Sequence, residues 1–239
     1  MPLTPTEPTP HASSLCRPWL RWLPCLVLVC TGGLLGLLWP RLPPRWAIHW
    51  GFHGQPDGWT TKTFLGVFFP VGFGMFLCGL LEGLSLLMLA YTSRGQEQRI
   101  SPEAARTMAA LTADCTRMIA LGLALVCALL AVVLPLWQPA RARLLVLGAL
   151  LIVCGAILWG LWCMWQGVRA LQARDTSAQI EGWNGLFYCN LRDPRVWLPK
   201  LAGIGYTLNF AHRQAWLWLA ASLVLPLLGV LLVIVPALR

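Results

Sequence analysis

The chain has 239 residues, 57% of them hydrophobic and only 11% charged, with a mean hydropathy of +0.65. Soluble domains carry about 25% charged residues, so a soluble or secreted domain is excluded, and the length divides naturally into helices of about 20 residues crossing a ~30 Å hydrocarbon layer. The net charge of +9 comes from 18 Lys/Arg against 9 Asp/Glu, clustered between apolar runs rather than along a stripe with exposed aromatics, so the expected partner is the lipid bilayer and not nucleic acid.

Residues 1–16, rich in Pro, Thr and Ser without hydrophobic period, read as a disordered tail. Arg17 and Arg21 lead into an apolar run from Trp19 to Trp39. A basic flank before an apolar core resembles a signal peptide, but the run is long and ends in Trp39-Pro40 rather than in small residues, so it is expected to be a retained first span. Residues 40–63 are polar, aromatic and dense in Pro and Gly, and read as a loop with turn chemistry at Gln55-Pro56-Asp57-Gly58. Phe64 to Tyr91 is the second span, closing a first unit over 17–91. Residues 92–116 form a polar linker in which Ser101-Pro102-Glu103 has the form of a helix start, with Ser as N-cap and Pro in the first turn. The spans at 117–137 and 144–168 complete a second unit, 92–168, and are joined by a hairpin at 138–143 too short to hold a site. The polar stretch 169–213 contains β-favouring pieces at Leu186-Phe187-Tyr188, Val196-Trp197-Leu198 and Tyr206 to Phe210, around a turn at Asp193-Pro194. Gly203 and Gly205 beside Lys200 read as turn residues rather than as a phosphate loop. The last unit, 214–239, holds the fifth span, Trp216 to Pro236. The expected fold is an all-α integral membrane protein with about five transmembrane helices and a short β-containing cytosolic loop.

Orientation follows from the basic residues. With the N-terminus inside, 12 of the 18 Lys/Arg, including all six from Arg169 to Arg213, fall in cytoplasmic segments. That bias favours a cytoplasmic N-terminus and an external C-terminus in the cell inner (plasma) membrane. The nine Cys contain no CxxC pair and lie mostly inside apolar runs, where Cys acts as a small hydrophobe. No disulfide framework or metal site is expected from them.

Two stretches carry a resemblance. Leu42-Pro43, Arg45, His49-Trp50, Gly54, Pro56-Asp57-Gly58-Trp59 and Lys62 are similar to the signature of domain-of-unknown-function family 1648, here spanning about residues 22–75. Gly185-Leu186-Phe187-Tyr188, Asn190, Asp193-Pro194, Pro199-Lys200 and Gly203 to Phe210 resemble domain-of-unknown-function family 5808, here about residues 182–211. The first is found in Sdp-type immunity proteins and related bacterial membrane proteins. The pair implies a bacterial inner-membrane protein without an assigned reaction. The Gly-Ile-Arg-Thr-like motif of the immunity proteins' C-terminal module does not occur in this chain.

Candidate site residues lie in two places. His49, His53 and Asp57 are spaced four apart and on a helix would share a face able to hold zinc, but Gly51, Gly54, Pro56 and Gly58 oppose a helix there, since Pro and Gly cost roughly 3 and 1 kcal/mol in a helix interior. No metal or other cofactor is therefore expected. Either His49 and Asp57 brace a tight interfacial loop beside Trp46, Trp50 and Trp59, or His49, Asp57 and Lys62 present a ligand-binding surface. Glu82 reads as the lone acid within a span, where a lipid-facing charge costs at least ~2.5 kcal/mol. It is expected to face the bundle as a hydrogen-bonded packing site, with Gly79 and Gly83 in GxxxG spacing supplying close helix contact. Trp159, Trp162 and Trp165 read as interfacial anchors.

These features lead to a non-enzymatic membrane protein of envelope defence, immunity or signalling. Its external loop would meet a membrane-active peptide or envelope ligand, and segment 182–211 a cytosolic protein partner. The alternative is a membrane enzyme or transporter acting on lipid or cell-wall intermediates.

Overall fold

The computed structural model describes residues 17–51, 55–93, 100–137, 142–201 and 205–238. The tail 1–16, His53 and Gly54, residues 138–141 of the short hairpin, and Gly203 and Ile204 lie outside the described residues.

Helices dominate the chain. A 3₁₀ turn at Pro18–Arg21 leads into α1 (Leu23–Leu38), followed by α2 (Phe64–Ser93), α3 (Pro102–Leu136), α4 (Ala142–Arg174) and α5 (Arg213–Leu238). Among the described residues, four segments are long and apolar enough to cross a membrane: Leu23–Arg41, Phe64–Thr92, Pro102–Leu136 and Leu147–Arg174. The fifth helix, α5, has 26 residues and no charged residue after Arg213. The chain is a multi-pass, all-α membrane protein with short β elements.

Helix α3 begins where its sequence says it should. The Ser101 hydroxyl accepts a hydrogen bond from the Ala104 backbone N–H at 3.1 Å, with Pro102 in the first turn. This offers a partner to one of the donors that a helix start leaves free. From there α3 runs unbroken for 35 residues, so the polar linker and the third span form one rod.

That rod is the axis of the molecule, with α1, α2 and α4 all packed against it. Many of its buried positions are small, among them Ala104, Ala105, Ala109, Ala113, Ala120, Ala124 and Ala131. Small residues let backbones approach closely where lipid provides no hydrophobic drive between helices. The α3–α4 crossing depends on this, because a Cβ at Gly122 would sit 2.5 Å from the Ala156 Cβ. Large side chains turn outward instead, among them Leu37, Phe64, Leu65, Phe76, Leu151 and Leu158. This distribution suits a bundle bathed in acyl chains.

The first loop departs from expectation. Two strands, β1 (Arg45–Trp50) and β2 (Pro56–Thr61), pair antiparallel, with Arg45 opposite Thr61 and Trp50 opposite Pro56. The expected turn residues Pro56, Asp57 and Gly58 are strand residues, and the reversal falls within 51–55, closed by the Gly51 N–H donating to the Gln55 carbonyl at 2.9 Å. The hairpin's Trp46 packs with Leu35, Leu42, Val67 and Ala131. The second polar stretch also folds, as β3 (Trp183–Asn184) with β4 (Phe187–Tyr188) and β5 (Trp197–Pro199) with β6 (Tyr206–Leu208). This cap packs on the other end of α3: Leu201 and Ala178 share a cluster with Ala104, Ala105, Met108 and Leu111. Met108 and Ala131 are ~35 Å apart along a helix, so hairpin and cap occupy opposite ends of the bundle.

Opposite ends imply opposite sides of the membrane, and the orientation expected from the basic residues has the cap inside. A cysteine replacing Pro56 should react with an impermeant maleimide on intact cells, while the native exposed Cys189 should react only after permeabilisation. The reverse pattern on peptide mapping would invert the orientation.

Candidate functional site

Three groups of polar side chains stand out, at three levels of the bundle. At the hairpin, His49 Nδ1 hydrogen-bonds Asp57 Oδ1, with side chains 71% and 52% exposed. The local sequence explains the pairing. His49 lies opposite Gly58, and a Cβ on Gly58 would come within 2.7 Å of the His49 Cβ. Only glycine lets the two strands close there, beside an irregularity between Ala47 and His49. The base of the hairpin is held by aromatic contacts: the Arg45 guanidinium lies 4.7 Å from the Trp59 ring centroid and the Lys62 ammonium 5.6 Å from that of Trp39. Lys62 also donates its backbone N–H to the Pro44 carbonyl at 2.9 Å. The expected trio is therefore divided. His49 and Asp57 meet, while Lys62 stands at the opposite end of the strands, roughly 13 Å away by strand rise.

The second group surrounds Glu82. Its Oε2 and Oε1 accept from Arg117 Nε at 2.8 Å and Nη2 at 2.9 Å, and Oε1 also lies 3.1 Å from Arg21 Nε. Arg117, 12% exposed, makes a further bond to Asp114 at 3.2 Å, and Asp114 Oδ2 accepts from the Arg17 backbone N–H at 2.6 Å. Glu82 faces the bundle and is hydrogen-bonded there, its partners being charged arginines. The fork geometry of Arg117 on the carboxylate is the strong form of such a contact. The cluster ties the chain before α1 to both α2 and α3. Of the residues in it, Arg21 belongs to the basic flank of the first apolar run, Asp114 lies in the polar linker before the third, and Arg117 is the first residue of the third. The GxxxG expectation fails here: a Cβ on Gly79 or Gly83 would meet nothing within 4 Å, and both are exposed. Close approach occurs instead at Gly122 and Gly167, where α4 crosses α3.

The third group organises the cap. Asn209 is fully buried. Its side-chain N–H groups donate to the carbonyls of Asn190 at 2.9 Å, Asp193 at 3.1 Å and Arg195 at 3.3 Å, and its oxygen accepts from the N–H of Asn190 at 3.0 Å and Ala211 at 3.2 Å. One amide thus satisfies the backbone of the Asp193-Pro194 turn, which has no ladder partner of its own. Alongside, the Arg195 guanidinium grips Asp193 at 2.7 and 2.9 Å. That grip, aided by the Arg195 N–H and the Tyr188 hydroxyl, holds the Asp193 carboxyl well below its usual 3.8, while burial pushes Tyr188 up. At the seam with α3, Asp175 accepts from the Ser101 hydroxyl at 2.7 Å and the Ser177 N–H at 2.8 Å, which lowers its pKa. Of these three groups, the His49–Asp57 pair is the most exposed. The Glu82 and Asn209 groups spend their bonding capacity within the fold.

Two outcomes separate these structural roles. Arg117→Ala should lower stability in detergent by on the order of 3 kcal/mol, because it leaves Glu82 and Asp114 short of a cation. Glu82→Lys should reduce folded yield on gel filtration more than Glu82→Gln, whose amide still accepts a hydrogen bond while Asp114 continues to face Arg117. Asn209→Ala should leave the bundle intact but cost the cap about 2–4 kcal/mol in unsatisfied backbone groups, read as faster tryptic cleavage at Arg192 and Arg195.

The matches to known families fall on two of these levels. No curated protein and no solved structure matches the chain. Residues 26–74, from within α1 across the hairpin into α2, match a domain of unknown function, DUF1648, within four residues of the stretch expected from the sequence. Residues 192–216 match a family of unknown function, DUF5808, beginning ten residues later than expected and reaching into α5. The chain is thus a multi-pass membrane protein in which a stretch across the hairpin matches DUF1648 and a stretch of the cap matches DUF5808.

Proposed function

We propose that this is a non-enzymatic protein of the bacterial inner membrane, acting in envelope defence, immunity or signalling, which meets its ligand at the β1–β2 hairpin. The supporting observation is the exposed His49–Asp57 pair, held on a strand pair whose base is fixed by Trp46, Trp59 and Trp39. A rigid, water-facing donor–acceptor pair just above the bilayer loses little entropy on binding and stands where a membrane-active peptide arrives. The interior charges support a structural rather than a catalytic use, since Glu82, Asp114 and Arg117 bind one another. The cap, with exposed Phe187, Leu191 and Tyr206, is the surface for a cytosolic protein partner within this reading.

His49→Ala and Asp57→Ala should each weaken protection against a membrane-active peptide in cells while membrane abundance stays within about twofold of the parent, because an exposed pair contributes roughly 1 kcal/mol or less to folding. Loss of abundance in step with phenotype would make the hairpin structural. Normal phenotype at normal abundance in both variants would remove it as the site.

A further inference from the structure

A groove unrelated to the hairpin lies at the cap end of the bundle. Helices α2 and α4 both pack on α3, leaving a trough between them floored by Met108 and Thr112 and roofed by the cap. Its cavity is about 640 Å³, within the range of ~300–1,000 Å³ usual for small-ligand sites. One wall is Met88 of α2. The other is α4 from Leu158 to Val168, a run of ~15 Å.

Three properties define what this trough would hold. The lining is almost wholly apolar, and its methionines adapt to a flexible chain. Its lower wall, Leu158, Leu161 and Trp162, is also part of the outward-facing surface of α4, so the trough opens onto the lipid-facing side of the bundle. Its upper end carries a single charge, Lys200, whose ammonium meets no carboxylate among the described residues. Close by, Arg169 stacks on Trp165, its guanidinium carbon 5.2 Å from the ring centroid. An apolar slot entered from the bilayer and ending in a cation at the tryptophan level matches a molecule with an acyl chain and an anionic head. Basic pockets between transmembrane helices bind such headgroups.

We propose that the groove between α2 and α4 binds one anionic phospholipid from the adjoining leaflet, an acyl chain lying along Leu158–Val168 and the phosphate meeting Lys200. The lipid would then be a structural partner of the cap, joining it to the bundle. This site stands independently of the hairpin reading.

Native mass spectrometry of the full-length protein in mixed micelles tests it, with phosphatidylglycerol and acyl-matched phosphatidylcholine as probes. The parent should retain one phosphatidylglycerol in preference to phosphatidylcholine. Lys200→Ala should weaken that retention about fivefold, the expectation for one interfacial cation, and Lys200→Arg should restore it. Thr112→Phe, which fills the floor of the groove, should abolish retention with Lys200 still present. If that variant fails to fold, the two Lys200 variants decide alone. Equal retention of both lipids, or indifference to Lys200→Ala, would overturn the proposal. So would displacement of the lipid by millimolar inorganic phosphate, which would indicate a site for a free anion rather than for a lipid.

Discussion

The structure depends on the close approach that small residues along α3 allow. In lipid, helices gain nothing by hiding leucine from leucine, so association relies on contact area and on polar bonds between helices. Alanines and Gly122 let α1, α2 and α4 share a single helix as their neighbour. Because α3 then continues from the bundle to Ser101, the same alanine-lined surface, at Ala104 and Ala105, seats the cap through Leu201 and Ala178. One packing rule thus serves in two solvents: small-on-small within the bilayer, and small-under-large beneath the cap.

Where packing is non-directional, charge fixes the register. Sliding α2 past α3 by one turn, ~5.4 Å, would separate Glu82 from Arg117 and leave both charges near the edge of the hydrocarbon. Breaking a buried pair of this kind costs several kcal/mol because the survivor is uncompensated. The cluster also holds the chain before α1, through Arg21 to Glu82 and Arg17 to Asp114. The basic flank that sets topology by its charge is therefore also a ligand of the bundle's own acids.

The number and class of elements were legible from apolar run length, and the start of α3 from Ser101-Pro102, because those signals are local. What escaped was the pairing of distant segments. Glu82 stands 18 residues into α2, and Arg117 stands 19 residues before the end of α3. In antiparallel helices that places both ~27–28 Å from the hairpin end. Counting inward from the shared end matches them, whereas Arg117, at the first residue of the third apolar run, carries no local sign of its partner. The GxxxG spacing misled for a related reason: it says that two glycines share a face, not that a helix lies against it. In the hairpin, the dense Pro and Gly suggested a turn at 55–58, but Gly58 is there to let His49 pass and Pro56 opens a strand. His49 and Asp57 were legible as a pair. Lys62 was not separable from them without the register, since a hairpin sends residues near in sequence to opposite ends of its ladder.

The two family-matched segments meet α3 at different places and share no level of the bundle. The hairpin packs near Ala131, while the cap to which residues 192–216 belong packs around Ala104 to Leu111. The helix that joins these levels belongs to neither match. A mechanical relation carried by α3 would pass through a helix whose contacts are small, dense and pinned at mid-length by Arg117. Such a rod transmits a shift as a whole or not at all, because packed interfaces change between discrete arrangements rather than deforming continuously. The ion pairs of Glu82 and Asp114 with Arg117 lie on that helix between the two ends, so a one-turn slide of α2 along α3 would have to break the Glu82–Arg117 pair.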